Sequence, residues 1–226
     1  MKSPAEMVDA NLAAYGENDV KALAATLSQD CVMGAYRGQV FATGRDACAD
    51  AYARTIAAYP MALTRSLNRI AFGAVVVDHE ASRRASDQTL SYVATIYTVR
   101  DGLITRIETV RAKEASSANH IAAAQLDAYN AQDLDGYLAC FTPDAQIGDY
   151  HGPVTQKDAT EIRARYADAF ATYPKNHAAL LNRIAVGPVA FDHERVVRGA
   201  SGIAPFEALA IYSVSEGRIT RAEFVK

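Results

Sequence analysis

The chain repeats itself, and this repeat limits the fold more than any other feature. Ala14-Tyr15, Asp19, Asp30, Gly34, Tyr36 and Gly38 return a constant 114 positions later as Ala128-Tyr129, Asp133, Asp144, Gly148, Tyr150 and Gly152. In the same register Tyr52, Tyr59-Pro60 and Asn68-Arg69-Ile70-Ala71 match Tyr166, Tyr173-Pro174 and Asn182-Arg183-Ile184-Ala185, and Asp78-His79-Glu80 matches Asp192-His193-Glu194. One added residue then shifts the tail, where Ile96-Tyr97, Gly102 and Ile104-Thr105-Arg106 match Ile211-Tyr212, Gly217 and Ile219-Thr220-Arg221. In a chain of 226 residues, such self-similarity means two copies of one small domain rather than one large domain. The first copy is expected over residues 1–112 and the second over 119–226. Between them 113–118, Lys113-Glu114-Ala115-Ser116-Ser117-Ala118, reads as a short polar linker. It ends in a helix N-cap at Ser117 or Asn119.

Within each copy the hydrophobic period changes once. Val20, Leu23, Ala24 and Leu27 recur at helical spacing, as do Leu134, Tyr137, Leu138 and Phe141. A second helical stripe runs through Ile162, Tyr166, Ala169, Phe170 and Tyr173, where Pro174 stops it; Cys48, Tyr52, Thr55, Ile56 and Tyr59 form its counterpart. After the proline the pattern becomes strand-like. Leu180 to Val186, Val189 to Val197, Phe206 to Val214 and Arg218 to Val225 are rich in β-branched or aromatic residues and separated by turn residues. A short strand, Ala145 to His151, falls between the helices. Helices followed by an antiparallel meander give an α+β layout.

Composition removes several functional classes. Half the residues are apolar, so a packed core is available. The formal charge is −3 with Lys and Arg scattered among acids, which argues against a nucleic-acid partner. No apolar run has membrane-spanning length, and the start lacks the apolar block of a signal peptide, so a cytoplasmic protein without a membrane partner is expected. Cys31, Cys48 and Cys140 are odd in number and unmatched between the copies, which reads as small buried hydrophobes rather than a disulfide framework. No nucleotide loop, nucleophile elbow or zinc signature is present in the sequence.

The segment Asp127-Ala128-Tyr129-Asn130-Ala131-Gln132-Asp133-Leu134-Asp135 … Phe141-Thr142-Pro143-Asp144 resembles the opening of SnoaL-like and ketosteroid-isomerase-like proteins. Ala210-Ile211-Tyr212-Ser213-Val214-Ser215-Glu216-Gly217-Arg218-Ile219 resembles their closing hairpin. The resemblance to the nuclear transport factor 2-like superfamily covers both copies. It implies two tandem cones, each with N-terminal helices packed on a strongly curved antiparallel sheet around a pocket. Members include isomerases, cyclases, hydratases, epoxide hydrolases and non-enzymatic binders, so fold does not settle function. It also implies that the isomerases' general base falls on Asp149. Their oxyanion-hole tyrosine falls on Gln125, and their protonated aspartic acid near Ala210. With the oxyanion hole half built, the familiar steroid isomerisation is disfavoured.

Strand alternation places Ala145, Ile147 and Asp149 on one face, expected to point inward. A carboxylate enclosed by apolar walls is held toward its neutral form and serves as base or acid near neutral pH. The alternative is an Asp capping a backbone amide, and the first copy carries Ala35 instead. His193 and Arg195 share one face of their strand. The resemblance puts that face toward the pocket, with His193 relaying a proton or, since His79 repeats it, standing as a hydrogen-bonded wall residue. Tyr129, Tyr166 and Tyr212 form an aromatic lining or plain core packing. Gln125, Asn182 and Phe224 complete the expected ligand-binding set. Asp192-His193-Glu194 diverge along a strand and cannot converge on an ion, so neither metal nor other cofactor is expected. Asp192 and Glu194, with Arg221 and Glu223, are expected on the outer sheet face, as are their first-copy counterparts Asp78, Glu80, Arg106 and Glu108. There the two copies would pair as an intrachain pseudo-dimer. Size-exclusion chromatography then shows one compact species, and two independently tumbling domains would contradict it.

Two readings stay open on the sequence. In one, the second copy binds a small apolar or cyclic organic ligand and Asp149 moves a proton or activates water, as in a cofactor-independent isomerase, cyclase, hydratase or epoxide hydrolase. In the other, the protein is a non-catalytic ligand-binding or dimeric scaffold with degenerate pockets.

Overall fold

The computed structural model describes residues 2–60, 62–83, 90–112 and 118–226. The chain divides into two compact units, 1–113 and 114–226. Residues 113–117 of the expected linker, with the N-cap at Ser117, lie outside the described residues, whereas Ala118 already opens the first helix of the second unit and Asn119 sits inside that helix rather than at its cap.

The first unit runs α1 (Pro4–Gly16), α2 (Val20–Ala25), β1 (Leu27–Ala35), β2 (Val40–Thr43), α3 (Arg45–Ala58), β3 (Leu63–Phe72), β4 (Val75–Arg83), β5 (Ser91–Arg100) and β6 (Leu103–Ala112). The second repeats it as α4 (Ala118–Asn130), α5 (Leu134–Ala139), β7 (Phe141–Asp149), β8 (Val154–Gln156), α6 (Ala159–Thr172), β9 (His177–Val186), β10 (Val189–Val197), β11 (Phe206–Ser215) and β12 (Arg218–Val225). Each sheet has six strands, ordered β2-β1-β6-β5-β4-β3 and β8-β7-β12-β11-β10-β9. The architecture is α+β, two tandem nuclear transport factor 2-like cones.

Local chemistry sets these boundaries. Ser3 accepts from the Glu6 amide while the Glu6 side chain accepts from the Ser3 amide, and Pro4 opens α1. Asp19 and Asp133 cap α2 and α5 in the same manner in both copies. Leu27 and Phe141, which continue the helical stripes in sequence, begin strands instead. At the β11–β12 hairpin Glu216 and Gly217 both have positive φ, 50° and 74°. This two-residue geometry matches the strand twist and favours glycine at its second position.

Two expectations about the sheet are corrected. It is mixed, because β1 lies parallel to β6 and β7 parallel to β12. Each sheet also gains a short edge strand, β2 or β8, which is too brief to stand out as a hydrophobic period. The cores lie on the inner faces, where Ala190, Ala210, Tyr212 and Ala222 pack with Tyr137, Ile162 and Tyr166 from the helices. Cys31, Cys48 and Cys140 are buried free thiols. Burial, reinforced by the neighbouring Cys48, pushes the Cys31 thiol up to about 12, which leaves no thiolate nucleophile there.

Candidate functional site

The inner face of β4 carries charge. Val76 belongs to the core cluster beneath the helices, so strand alternation puts Asp78, Glu80 and Ser82 on the same side. Opposite Asp78 in β3 stands Arg69. Its Nε and Nη2 donate to Asp78 at 2.5 and 2.7 Å, while Nη1 reaches Asp9 on α1 at 2.7 Å. This fork satisfies a fully buried carboxylate and ties helix to sheet.

Glu80 has no such partner at close range. The Tyr97 hydroxyl is 3.4 Å from its Oε1, a long contact, and Thr95 supplies a further hydrogen bond. The residue is 7% exposed. Burial is the main cause that pushes its carboxyl up to about 7, with Asp78 adding to it and Thr95, Tyr97 and Arg111 opposing. A carboxyl in that range exchanges its proton at neutral pH.

Glu80 borders a cavity of about 290 Å³. Asn11, Leu12 and Tyr15 of α1 and Tyr52 of α3 form one side of it, and Thr95, Tyr97, Thr109 and Arg111 of the sheet form the other. Asn11 is 1% exposed. Its Nδ2 donates to Thr26 Oγ1 at 2.8 Å, and Thr26 in turn donates to the Leu23 carbonyl at 2.7 Å. That chain fixes the amide orientation and leaves Asn11 Oδ1 buried without a hydrogen-bond partner among the described residues. A buried acceptor in this condition is costly unless something donates to it.

The second unit keeps the frame and packs more aromatic rings within it. Arg183 Nε and Nη2 donate to Asp192 at 2.6 and 2.5 Å. Burial still raises the Asp192 carboxyl against the pull of Arg183. Glu194, 7% exposed, is pushed up to about 8, chiefly by burial and then by Asp192. Around it the helices contribute larger rings than in the first unit. Tyr137 stacks at 4.3 Å on Tyr166, with Tyr129, Phe141 and Phe170 at 5.1 to 6.1 Å from it. The positions of Tyr137, Phe170 and Phe224 hold Leu23, Ile56 and Thr109 in the first unit.

Of the residues expected from sequence, the structure gathers Gln125, Tyr129, Tyr166, Tyr212 and Phe224 in or against the core of the second unit. Asp149 does share a face with Ala145 and Ile147, which are buried. Its environment is corrected: it lies at the strand end, where its Oδ2 accepts from Lys226 Nζ at 2.6 Å, an ion pair rather than an acid isolated among apolar walls. The parity of β10 is also reversed. Ala190 is in the core cluster, so Asp192 and Glu194 point inward. His193, Arg195 and the paired Asn182 then lie on the opposite face. His193 Nε2 lies 2.7 Å from Glu207 Oε2 there, and Arg195 is exposed. Arg221 and Glu223 keep the expected outer parity, 3.3 Å apart. Asp78 and Glu80, expected on the outer face of the first copy, point inward as Asp192 and Glu194 do, and Asn11, Tyr52, Tyr97 and Arg111 were not singled out as site residues. The available signal was the arginine opposite an Asp-x-Glu in both copies, which marks the inward face. Among the described residues no cluster of His, Cys, Asp or Glu is arranged to hold a metal ion, and no helix is long and apolar enough to cross a membrane.

Comparison with known families matches the SnoaL-like domain twice, over residues 8–107 and 122–222. The chain belongs to the SnoaL-like family. Among solved structures this SnoaL-like tandem is similar to a cystatin-fold protein from Novosphingobium aromaticivorans, at 35% identity over 50% of this chain and 100% of that one, with a TM-score of 0.46. A candidate polyketide cyclase from Sinorhizobium meliloti is 22% identical over 49% of this chain and 99% of its own, TM-score 0.41. A SnoaL-like protein from Burkholderia thailandensis is 20% identical over 48% of this chain and 92% of its own, TM-score 0.41. No curated protein matches the sequence.

Proposed function

We propose that the first unit of this SnoaL-like protein is the working one. Its cavity binds a small cyclic organic molecule, and Glu80 moves a proton on it without a cofactor. The observation that carries this reading is a carboxyl buried beside a cavity of about 290 Å³ and held near pH 7. As a base, Glu80 takes a proton from a carbon next to a carbonyl. The electron pair moves onto the carbonyl oxygen, and the same proton returns at another carbon or oxygen. The net result is isomerisation or a step toward ring closure, with no atom gained or lost. Such positioned acid–base catalysis contributes about 10²–10⁴-fold in rate.

The test is a screen of cyclic ketones and enols, followed by Glu80→Gln. The amide fills the same space but accepts no proton, so turnover is expected to fall by about 10²–10⁴-fold while ligand binding is retained. Unchanged turnover overturns the reading. In the second unit Asp149 is ion-paired with Lys226, and Asp149→Asn is expected to leave turnover unchanged.

One observation favours a non-catalytic reading. Glu194 repeats Glu80 in a unit whose core is packed with aromatic rings, so this buried acid recurs as part of the frame. Under that reading the first unit holds its ligand without converting it, and Glu80→Gln changes affinity alone.

A further inference from the structure

The second unit contains within itself an occupant for a cone of this kind. Tyr137 is 1% exposed. Its hydroxyl is hydrogen-bonded to Tyr166 and Gln125 and lies in the field of Tyr212. Its ring packs against those of Tyr166 and Tyr129. The repeat maps Gln125, Tyr129, Tyr166 and Tyr212 onto Asn11, Tyr15, Tyr52 and Tyr97, and all four of these line the cavity of the first unit. Tyr137 itself maps onto Leu23, a shorter side chain buried in the core cluster. The surfaces that hold a phenol in one copy therefore border open space in the other.

We propose that the cavity of the first unit takes a hydroxylated aromatic ring, seated where Tyr137 sits in the second unit, with its ring against Tyr52 and Tyr15 and its hydroxyl meeting Tyr52 and Asn11 as that of Tyr137 meets Tyr166 and Gln125. The inference rests on the cavity being a ligand site but not on Glu80 acting as a base. Size agrees: an apolar cavity of about 150 Å³ admits benzene, so about 290 Å³ holds one substituted ring. Polarity agrees as well. Asn11 gives one of its two N–H groups to Thr26, and its other N–H and its unpartnered carbonyl oxygen can both meet a hydroxyl. A ring lacking the hydroxyl leaves that oxygen unsatisfied and binds more weakly.

p-Cresol, which is the tyrosine side chain as a free molecule, and toluene, its counterpart without the hydroxyl, are titrated against the full chain by NMR. The native protein is expected to bind one p-cresol, about tenfold or more tighter than toluene. Leu23→Tyr, which copies the second unit's occupant, is expected to abolish that binding. If this variant fails to fold, Thr109→Phe blocks the same space from the sheet side with the residue the second unit already uses. Tyr137→Leu is expected to raise the p-cresol count from one to two by opening the second unit. Equal binding of toluene and p-cresol overturns the phenol assignment and leaves the cavity as a ligand site. No binding of either ring overturns both readings, and p-cresol binding that survives the folded blocking variant overturns the location.

Discussion

Arg183→Met is expected to destabilise the protein by about 3–5 kcal/mol, because it strands the Asp192 carboxylate in the core. Asp192 is fully buried and the arginine side chain is 12% exposed, so solvent cannot replace the two hydrogen bonds lost. Methionine fills most of the aliphatic volume, which separates the electrostatic loss from a cavity effect. Arg69→Met is expected to act similarly on Asp78, moderated by the greater exposure of Arg69 at 23%. The double replacement Arg183→Met with Asp192→Leu removes both charges and is expected to recover most of the loss, since the isolated charge is the costly element. Denaturant unfolding of the three variants measures this. A single-variant loss below about 1 kcal/mol would put the pair in the class of exposed ion pairs and refute its structural role.

The second large effect is on the pH dependence of stability. Glu80 is raised from its ordinary 4.5 to about 7 in the folded protein and Glu194 to about 8. Between those limits the folded chain keeps protons that the unfolded chain has already released. Stability is therefore greatest at and below about pH 4.5 as far as these two groups are concerned, and it declines as pH rises. The Glu80 contribution levels off above about 7 and the Glu194 contribution above about 8. For Glu80 the total is on the order of 3 kcal/mol. The sign is opposite to that of a salt-bridged carboxylate, whose contribution is lost toward acid. Glu80→Gln and Glu194→Gln, which cannot ionise, are each expected to flatten the decline over their own window. A stability profile that rises from pH 5 to 8 and is unchanged by both replacements would contradict these assignments.

Much of this fold was legible in the residues. The repeat at 114 positions fixed the number of units, and Tyr59-Pro60 and Tyr173-Pro174 marked the ends of α3 and α6. The tyrosines at 129, 166 and 212 pack in or against the core of the second unit, the plainer of the two readings their sequence allowed. The strand β10 was misread because Asp192-His193-Glu194-Arg195 is polar on both sides, so alternation carries no hydrophobic cue. Val189-Ala190-Phe191 before it is apolar throughout and gives none either. What decides the parity is a cross-strand contact, Arg183 against Asp192, and the irregularity of β9 beside His193 and Glu194 shifts its register there. The choice of copy was a matter of volume. Expecting the site beside Asp149 weighed one carboxylate against Ala35. The rings of Tyr137, Phe170 and Phe224 stand where the first unit, with its cavity, has Leu23, Ile56 and Thr109.

The most direct measurement is a carbon NMR titration of the glutamate side-chain carboxyls, with Glu80 assigned by its loss in Glu80→Gln. The account predicts that Glu80 changes protonation near pH 7, and that a ring-shaped ligand in the cavity moves this signal. A midpoint near the ordinary 4.5, indifferent to any cavity ligand, would contradict it.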